Sequence, residues 1–265
     1  MEFSQLLQAV RANPEAVVIP PEWGQGRASF GGLVAALVYE AMRSKVAADR
    51  PVRSLALTFV GPAAADVPIS FEVEVLREGR AVSQLLGRAV QNGQVVTLVQ
   101  GSFGAGRESV INLAAAPAPE ALSPEQSKEL PYIPGVTPEF TRYLAMRWCY
   151  GGLPFSNTPS RQMGGWVQLR NQPAGVAVDE AHLLALVDAW PPALLSYLNK
   201  PAAGSSLTWT IEFVQPVASL TTQDWCLYKA EIEHARDGYG HVAAALWSAE
   251  GELLAISRQT VAVFA

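Results

Sequence analysis

A helix that is apolar on every side cannot lie on a protein surface, and this chain carries one. Apart from Tyr39 and Glu40, residues 33 to 42 offer no polar face: Leu33, Val34, Leu37, Val38 and Met42 point in all directions around the axis. Something must wrap it. A glycine-rich stretch, Gly24 to Gly32, leads into the helix as a loop. From Pro51 the apolar period changes to two, through Leu55, Leu57 and Phe59, then Phe71, Val73 and Val75, then Val82 to Val90, then Val95 to Phe103. Four successive strands are predicted, with turns at Arg77 to Arg80 and Gln91 to Gln94. Asn92-Gly93 is a strong hairpin signal, because both residues accept positive φ. A curved antiparallel sheet is therefore the wrapper the sequence itself provides.

The pattern occurs twice. Between Gly104 and Val136 periodicity gives way to a run rich in alanine and proline, Ala114 to Pro119 with Pro124, Pro131 and Pro134, which reads as a linker. Beyond it, strands are predicted over Tyr143 to Tyr150 and Trp166 to Leu169, a helix over Glu180 to Leu198, and strands over Leu207 to Phe213, Trp225 to Ile232, Val242 to Ser248 and Leu253 to Phe264. Arg236-Asp237-Gly238 and Ala249-Glu250-Gly251 repeat the two turns of the first half. The expected organisation is a first unit over 1–106, a linker over 107–136 and a second unit over 137–265, an α+β architecture of two fused repeats. A short amphipathic helix, with Phe3, Leu6, Leu7 and Val10 on one face, precedes the first unit and should stop at Asn13-Pro14.

Charge narrows the function. Nineteen basic against 24 acidic side chains leave a net charge of -5, without a lysine and arginine cluster. That excludes the electrostatic footprint needed for nucleic acid or an anionic membrane surface. The longest charge-free run, Ala89 to Gly106, is interrupted by Gln91, Asn92, Gln94, Thr97, Gln100 and Ser102, so no membrane helix is predicted. Glu2 and Arg11 do not fit a secretory leader, and a cytoplasmic location is expected. Cys149 and Cys226 suit buried free thiols, and the three histidines, His182, His234 and His241, lack metal-ligand spacing. No metal or cofactor is expected. Gly24-x-Gly26 continues to Ser29, where a dinucleotide fingerprint needs glycine. Gln100 to Gly104 and Gly204 to Thr208 each miss one glycine of a nucleophile elbow.

The most informative acid is Asp188, in Leu183-Leu-Ala-Leu-Val-Asp-Ala-Trp-Pro-Pro192. It lies on or beside the apolar stripe of Leu184, Val187, Pro191 and Leu195, where a carboxylate is costly unless hydrogen bonded and its pKa should rise toward neutrality. Such an acid is suited to proton transfer. The competing reading is a helix break before Pro191, with Asp188 or its neighbour capping a new turn. The residues alone leave the two open. Gly31 and Gly32, at the mouth of the buried helix, could turn backbone N–H groups toward a developing oxyanion, or could serve close packing alone. Ser206, Thr208 and Thr210 on one strand, and Gln259 near the C-terminus, matter only if the fold brings one beside Asp188.

The chain resembles the acyl-CoA thioesterase II family over most of its length. The resemblance is carried by Phe30-Gly-Gly-Leu-Val-Ala-Ala-Leu37, by Phe71 to Arg80 and on through Gln91-Asn-Gly93 to Gly101-Ser-Phe103, by Ala185-Leu-Val-Asp-Ala-Trp-Pro-Pro192, by Thr208-Trp-Thr-Ile-Glu-Phe213 and by Gly251 to Gln259. It implies a double hotdog fold, each repeat a central helix wrapped by a curved antiparallel sheet, and hydrolysis of an acyl-CoA thioester to free fatty acid and coenzyme A. It also implies a homodimer or larger homo-oligomer. Carried over residue by residue, it implies a site of Asp188, Gln259 and Ser206, with Thr208 as the alternative hydroxyl and Gly31 or Gly32 polarising the carbonyl. Two positions depart from the pattern: Leu33 where many members have Gln, and Leu55-Ala56 where several have His. These departures leave room for a protein of the same fold that binds acyl-CoA or an acyl carrier without hydrolysing it.

Overall fold

A computed structural model describes residues 1–265. Helix α1 spans Phe3–Ala12, ending at Asn13, and buries Phe3, Leu6, Leu7 and Val10. A two-residue strand, Val17–Val18, and a hairpin of Gly24–Gln25 with Ala28–Ser29 lead to helix α2, Gly31–Arg43. The first repeat then supplies β1 (Val52–Phe59), β2 (Pro68–Glu78), β3 (Val82–Gln91) and β4 (Gln94–Gly104). Asn92 and Gly93 turn at φ 53° and 73°, as the hairpin reading requires.

Residues 105 to 127 form no helix or strand. Within the stretch read as linker, β5 (Lys128–Leu130) pairs with β6 (Leu144–Tyr150), and β7 (Gln162–Leu169) follows. Helix α3 covers Glu180–Val187, and the last four strands are β8 (Ala203–Phe213), β9 (Cys226–Arg236), β10 (Tyr239–Ser248) and β11 (Leu253–Phe264).

The two repeats share one twelve-stranded antiparallel sheet in the order Val17–Val18, β2, β3, β4, β1, β8, β11, β10, β9, β7, β6, β5. Within each repeat the first strand after the helix pairs with the last, β1 with β4 and β8 with β11, so β1 and β2 are not neighbours although they are consecutive in sequence. The repeats join where β1 meets β8, with Leu57 opposite Trp209 and Leu55 opposite Ile211.

The inner face of this sheet holds α2. Leu33, Val34, Leu37, Val38 and Met42 are all buried, each contributing roughly 1.5 to 3 kcal/mol of transfer free energy. Close approach is set by two strand glycines. A Cβ at Gly87 would lie 2.6 Å from Val38 Cγ1, and one at Gly101 would lie 2.6 Å from Met42 Cε. No helix is long and apolar enough to cross a membrane.

Candidate active site

The helix expected over Glu180 to Leu198 ends at Val187, eleven residues early, and the reason is local. Pro191 has no N–H to give the Val187 carbonyl and its ring would strike that group, so α geometry cannot pass through it. The chain turns through Pro191-Pro192 and resumes as a short 3₁₀ segment, Ala193–Tyr197. Asp188 is thus the C-cap residue of α3, its N–H donating to Leu184 O at 3.2 Å. Its backbone closes the helix, and its side chain is left free to leave the axis. It caps no new turn, since the N-cap of the 3₁₀ segment is Pro192.

That side chain meets residues from both repeats. A Cβ built on Gly31 would lie 2.9 Å from Asp188 Oδ2, and one on Gly32 would lie 2.9 Å from Asp188 Cβ and 3.1 Å from Leu184 O. The start of α2 therefore abuts the end of α3 with room for glycine only. From the sheet side, Gln259 Nε2 donates to Asp188 Oδ1 at 2.9 Å, and Ser206 Oγ donates to Gln259 Oε1 at 3.1 Å. Three residues far apart in sequence form one chain of hydrogen bonds.

The strand register explains which hydroxyl joins it. Gln259 lies opposite Trp209, on the sheet's inner face, and Val261 lies opposite Ser206. A bulge between Ser206 and Thr208 lets both Ser206 and Trp209 face inward. Thr208 pairs with Thr260 and is solvent exposed, as is Thr210. The structure brings Ser206 to Asp188 and Gln259 and does not bring Thr208. The histidines are elsewhere: His182 caps the start of α3 with Asp179, while His234 and His241 stack on each other in β9 and β10. No group of three His, Cys, Asp or Glu side chains is gathered so as to hold a metal ion.

Burial pushes the Asp188 carboxyl up to about 7, against the lowering effects of its hydrogen bonds from Gln259 and from the Gly32 N–H. The Gly32 amide thus faces Asp188 closely enough to favour its anion, and the N-terminal end of the α2 dipole adds to that effect. Gly31 opens the helix, so its N–H has no acceptor within α2. Two groups that the sequence did not single out complete the surroundings. Phe59, at the end of β1, packs on Gly31. Behind Asp188, Trp190 stacks on Tyr228 at 5.3 Å between ring centroids and leans on Trp148 at 5.6 Å. Burial, with a smaller push from Asp188, raises the Tyr228 phenol well above its ordinary pKa. Trp190, two residues past Asp188, was the one sequence signal for this apolar backing.

Comparison with known proteins matches residues 19–104 to the acyl-CoA thioesterase N-terminal domain and residues 124–263 to the acyl-CoA thioesterase C-terminal domain. A relative, acyl-CoA thioesterase 2 of Haemophilus influenzae, is 26% identical over 88% of this chain and 86% of its own. Two solved structures share the fold. A hot dog fold protein of unknown function from Alicyclobacillus acidocaldarius has a TM-score of 0.81 at 22% identity, covering 94% of this chain and 92% of that one. Acyl-CoA thioesterase II from Mycobacterium marinum has a TM-score of 0.73 at 21% identity, with the same coverage.

Proposed function

Because the chain belongs to the acyl-CoA thioesterase family and is a thioester hydrolase, we propose that Asp188, Gln259 and Ser206 together hold and activate the water that cleaves its substrate. The observation that carries this reading is the run of hydrogen bonds from Ser206 through Gln259 to Asp188, set beneath the first turn of α2. Gln259 donates one amide hydrogen to Asp188 and has a second to offer. Ser206 gives its hydroxyl hydrogen to Gln259 and keeps its lone pairs for a donor. A water between them donates to Asp188 and to Ser206 Oγ, which leaves its own lone pair for the substrate carbonyl.

The chemistry then balances without a covalent enzyme intermediate. As the water oxygen bonds to the thioester carbon, Asp188 takes its proton, and negative charge gathers on the carbonyl oxygen. Gly31 N–H, unspent within its helix, is the donor for that oxygen, since Gly32 N–H serves Asp188. The tetrahedral species collapses with cleavage of the carbon–sulfur bond, and the proton on Asp188 passes to the departing sulfur. A thiol of pKa near 8.5 leaves readily, so the enzyme's main work is to position and activate water.

Thiol release from a panel of acyl-CoA esters tests the reading. Asp188→Asn removes the base while keeping shape, and turnover should fall by about 10² to 10⁴. Ser206→Ala should lower kcat by about tenfold, whereas Thr208→Ala should change it less than about twofold. Full turnover by Asp188→Asn would sink the assignment.

A further inference from the structure

A cavity of about 480 Å³ opens at the far end of the second repeat, between the 3₁₀ segment Ala193–Tyr197 and the ends of β9, β10 and β11. Its floor is aliphatic, built by Leu194, Ile232 and Val263, and its rim is cationic or basic, with Arg161, His234 and Arg236. No acidic side chain lines it, in a chain whose net charge is -5. Tyr197 and Tyr239 also line it and remain 44% and 50% exposed, so two flat aromatic surfaces stand open to solvent. Arg161 is tethered, its Nη2 donating to Glu233 O at 2.7 Å, while Arg236 is free apart from a contact with Asp237 at 3.9 Å.

An alkyl chain laid on the floor would leave the rim guanidinium groups and the open tyrosine faces without a partner. It suits a flat heterocycle carrying phosphates: aromatic faces stack the ring, and arginine forks pair with phosphate oxygens. The position agrees. Val263 lies four residues along β11 from Gln259, about 13 Å at the rise of a strand. Pro192 and Leu194, seated on Gly204 and Gly240, form the sill between the two places. An extended arm attached at the reacting sulfur would cross that sill with its charged end over the cavity.

Resting on the thioesterase reading above, we propose that this cavity docks the phosphorylated adenosine end of coenzyme A. The same chemistry would fit a free adenine nucleotide acting as a separate effector, so the test separates the two.

Calorimetry with coenzyme A itself needs no turnover. Arg161→Glu with Arg236→Glu should weaken binding by at least about tenfold, and Arg236→Glu alone, at an exposed position, by several fold. Unchanged affinity in both overturns the proposal. In turnover, the double variant should lower kcat/KM for an acyl-CoA by about tenfold relative to kcat/KM for the same acyl group on pantetheine, which lacks the nucleotide. An equal fall on both esters would mean that the cavity serves the acyl or reacting end, and overturns it too. Adenosine 3′,5′-bisphosphate should compete with acyl-CoA; binding without competition would mark an effector site instead. Arginine-dependent binding of coenzyme A by a wild-type protein that releases no thiol would refute the hydrolytic mechanism and leave the docking site standing.

Discussion

Asp188 is pulled in two directions. A base must be ionised, yet burial beside Trp190 and Tyr228 favours the neutral acid. The hydrogen bonds from Gln259 and Gly32, with the α2 dipole behind the latter, recover part of the cost of ionisation. A carboxyl near 7 is half ionised at neutral pH, which is where a general base combines availability with strength. The rate kcat/KM should therefore rise with pH through about 7 and level off above it. A profile flat from pH 5 to 9 would remove Asp188 from the rate equation. Stability should run the opposite way. The folded carboxyl titrates higher than the unfolded one, near 4, so the contribution of Asp188 to stability is fullest below about pH 4, declines as pH rises toward 7, and is flat beyond. Asp188→Asn abolishes that decline. Its melting temperature should exceed that of the wild type at pH 8, by an amount corresponding to about 2 to 4 kcal/mol, and the two should converge near pH 4.

At the scale of elements, the site depends on the first turn of α2 lying against the last residue of α3. Gly32→Ala tests that contact. The added methyl would meet Phe30 Cζ at 2.6 Å, Asp188 Cβ at 2.9 Å and the Leu184 carbonyl at 3.1 Å. A backbone carbonyl cannot swing aside, so the helices must part. Destabilisation of about 1 to 3 kcal/mol is expected in chemical denaturation, together with a fall in kcat as Asp188 loses the Gly32 N–H. Unchanged kcat would detach the helix contact from catalysis. How far these elements can be read from sequence depends on whether their cause is local. The turn at Asn92-Gly93 and the all-apolar α2 are legible because their causes lie within a few residues. The end of α3 is half legible: the apolar run through Leu194 and Leu195 imitates a helix continuing to Leu198, while Pro191 marks the break that ends it at Val187. The bulge that turns Ser206 inward and Thr208 outward was not legible. It is fixed by pairing with β11, some fifty residues on, and nothing within β8 announces it.

Across the whole molecule, the two repeats are related by a pseudo-twofold axis, and its consequences differ between them. Where Asp188 of α3 meets the start of α2, Tyr39 of α2 meets the start of α3, its hydroxyl donating to Glu180 Oε2 at 3.0 Å. Gln259 lies eight residues past the turn glycine Gly251; eight past Gly93 is Gly101. Ser206 flanks the bulge opposite Val261; Val52 flanks a matching bulge opposite Phe103. The first repeat therefore sets Tyr39, Gly101 and Val52 where the second sets Asp188, Gln259 and Ser206. Of these three only Tyr39 carries a polar side chain, and its hydroxyl hydrogen is spent on Glu180. The place is instead filled by a strut, in which Gln215 Nε2 donates to Glu180 Oε1 at 2.6 Å and to Val52 O at 3.2 Å. Two results follow from this asymmetry. Tyr39→Phe removes a buried hydrogen bond to a carboxylate and should cost about 1 to 3 kcal/mol in stability, while kcat at the distant Asp188 stays within about twofold. A thioether analogue of acyl-CoA, which cannot be hydrolysed, should titrate to one molecule per chain in calorimetry. Two per chain would show that the first repeat retains a working pocket despite Tyr39, and the strut would then have to open to admit ligand. One per chain, with Tyr39→Phe destabilised but active, would show that the duplicated fold has kept its symmetry for packing and given up half of it for chemistry.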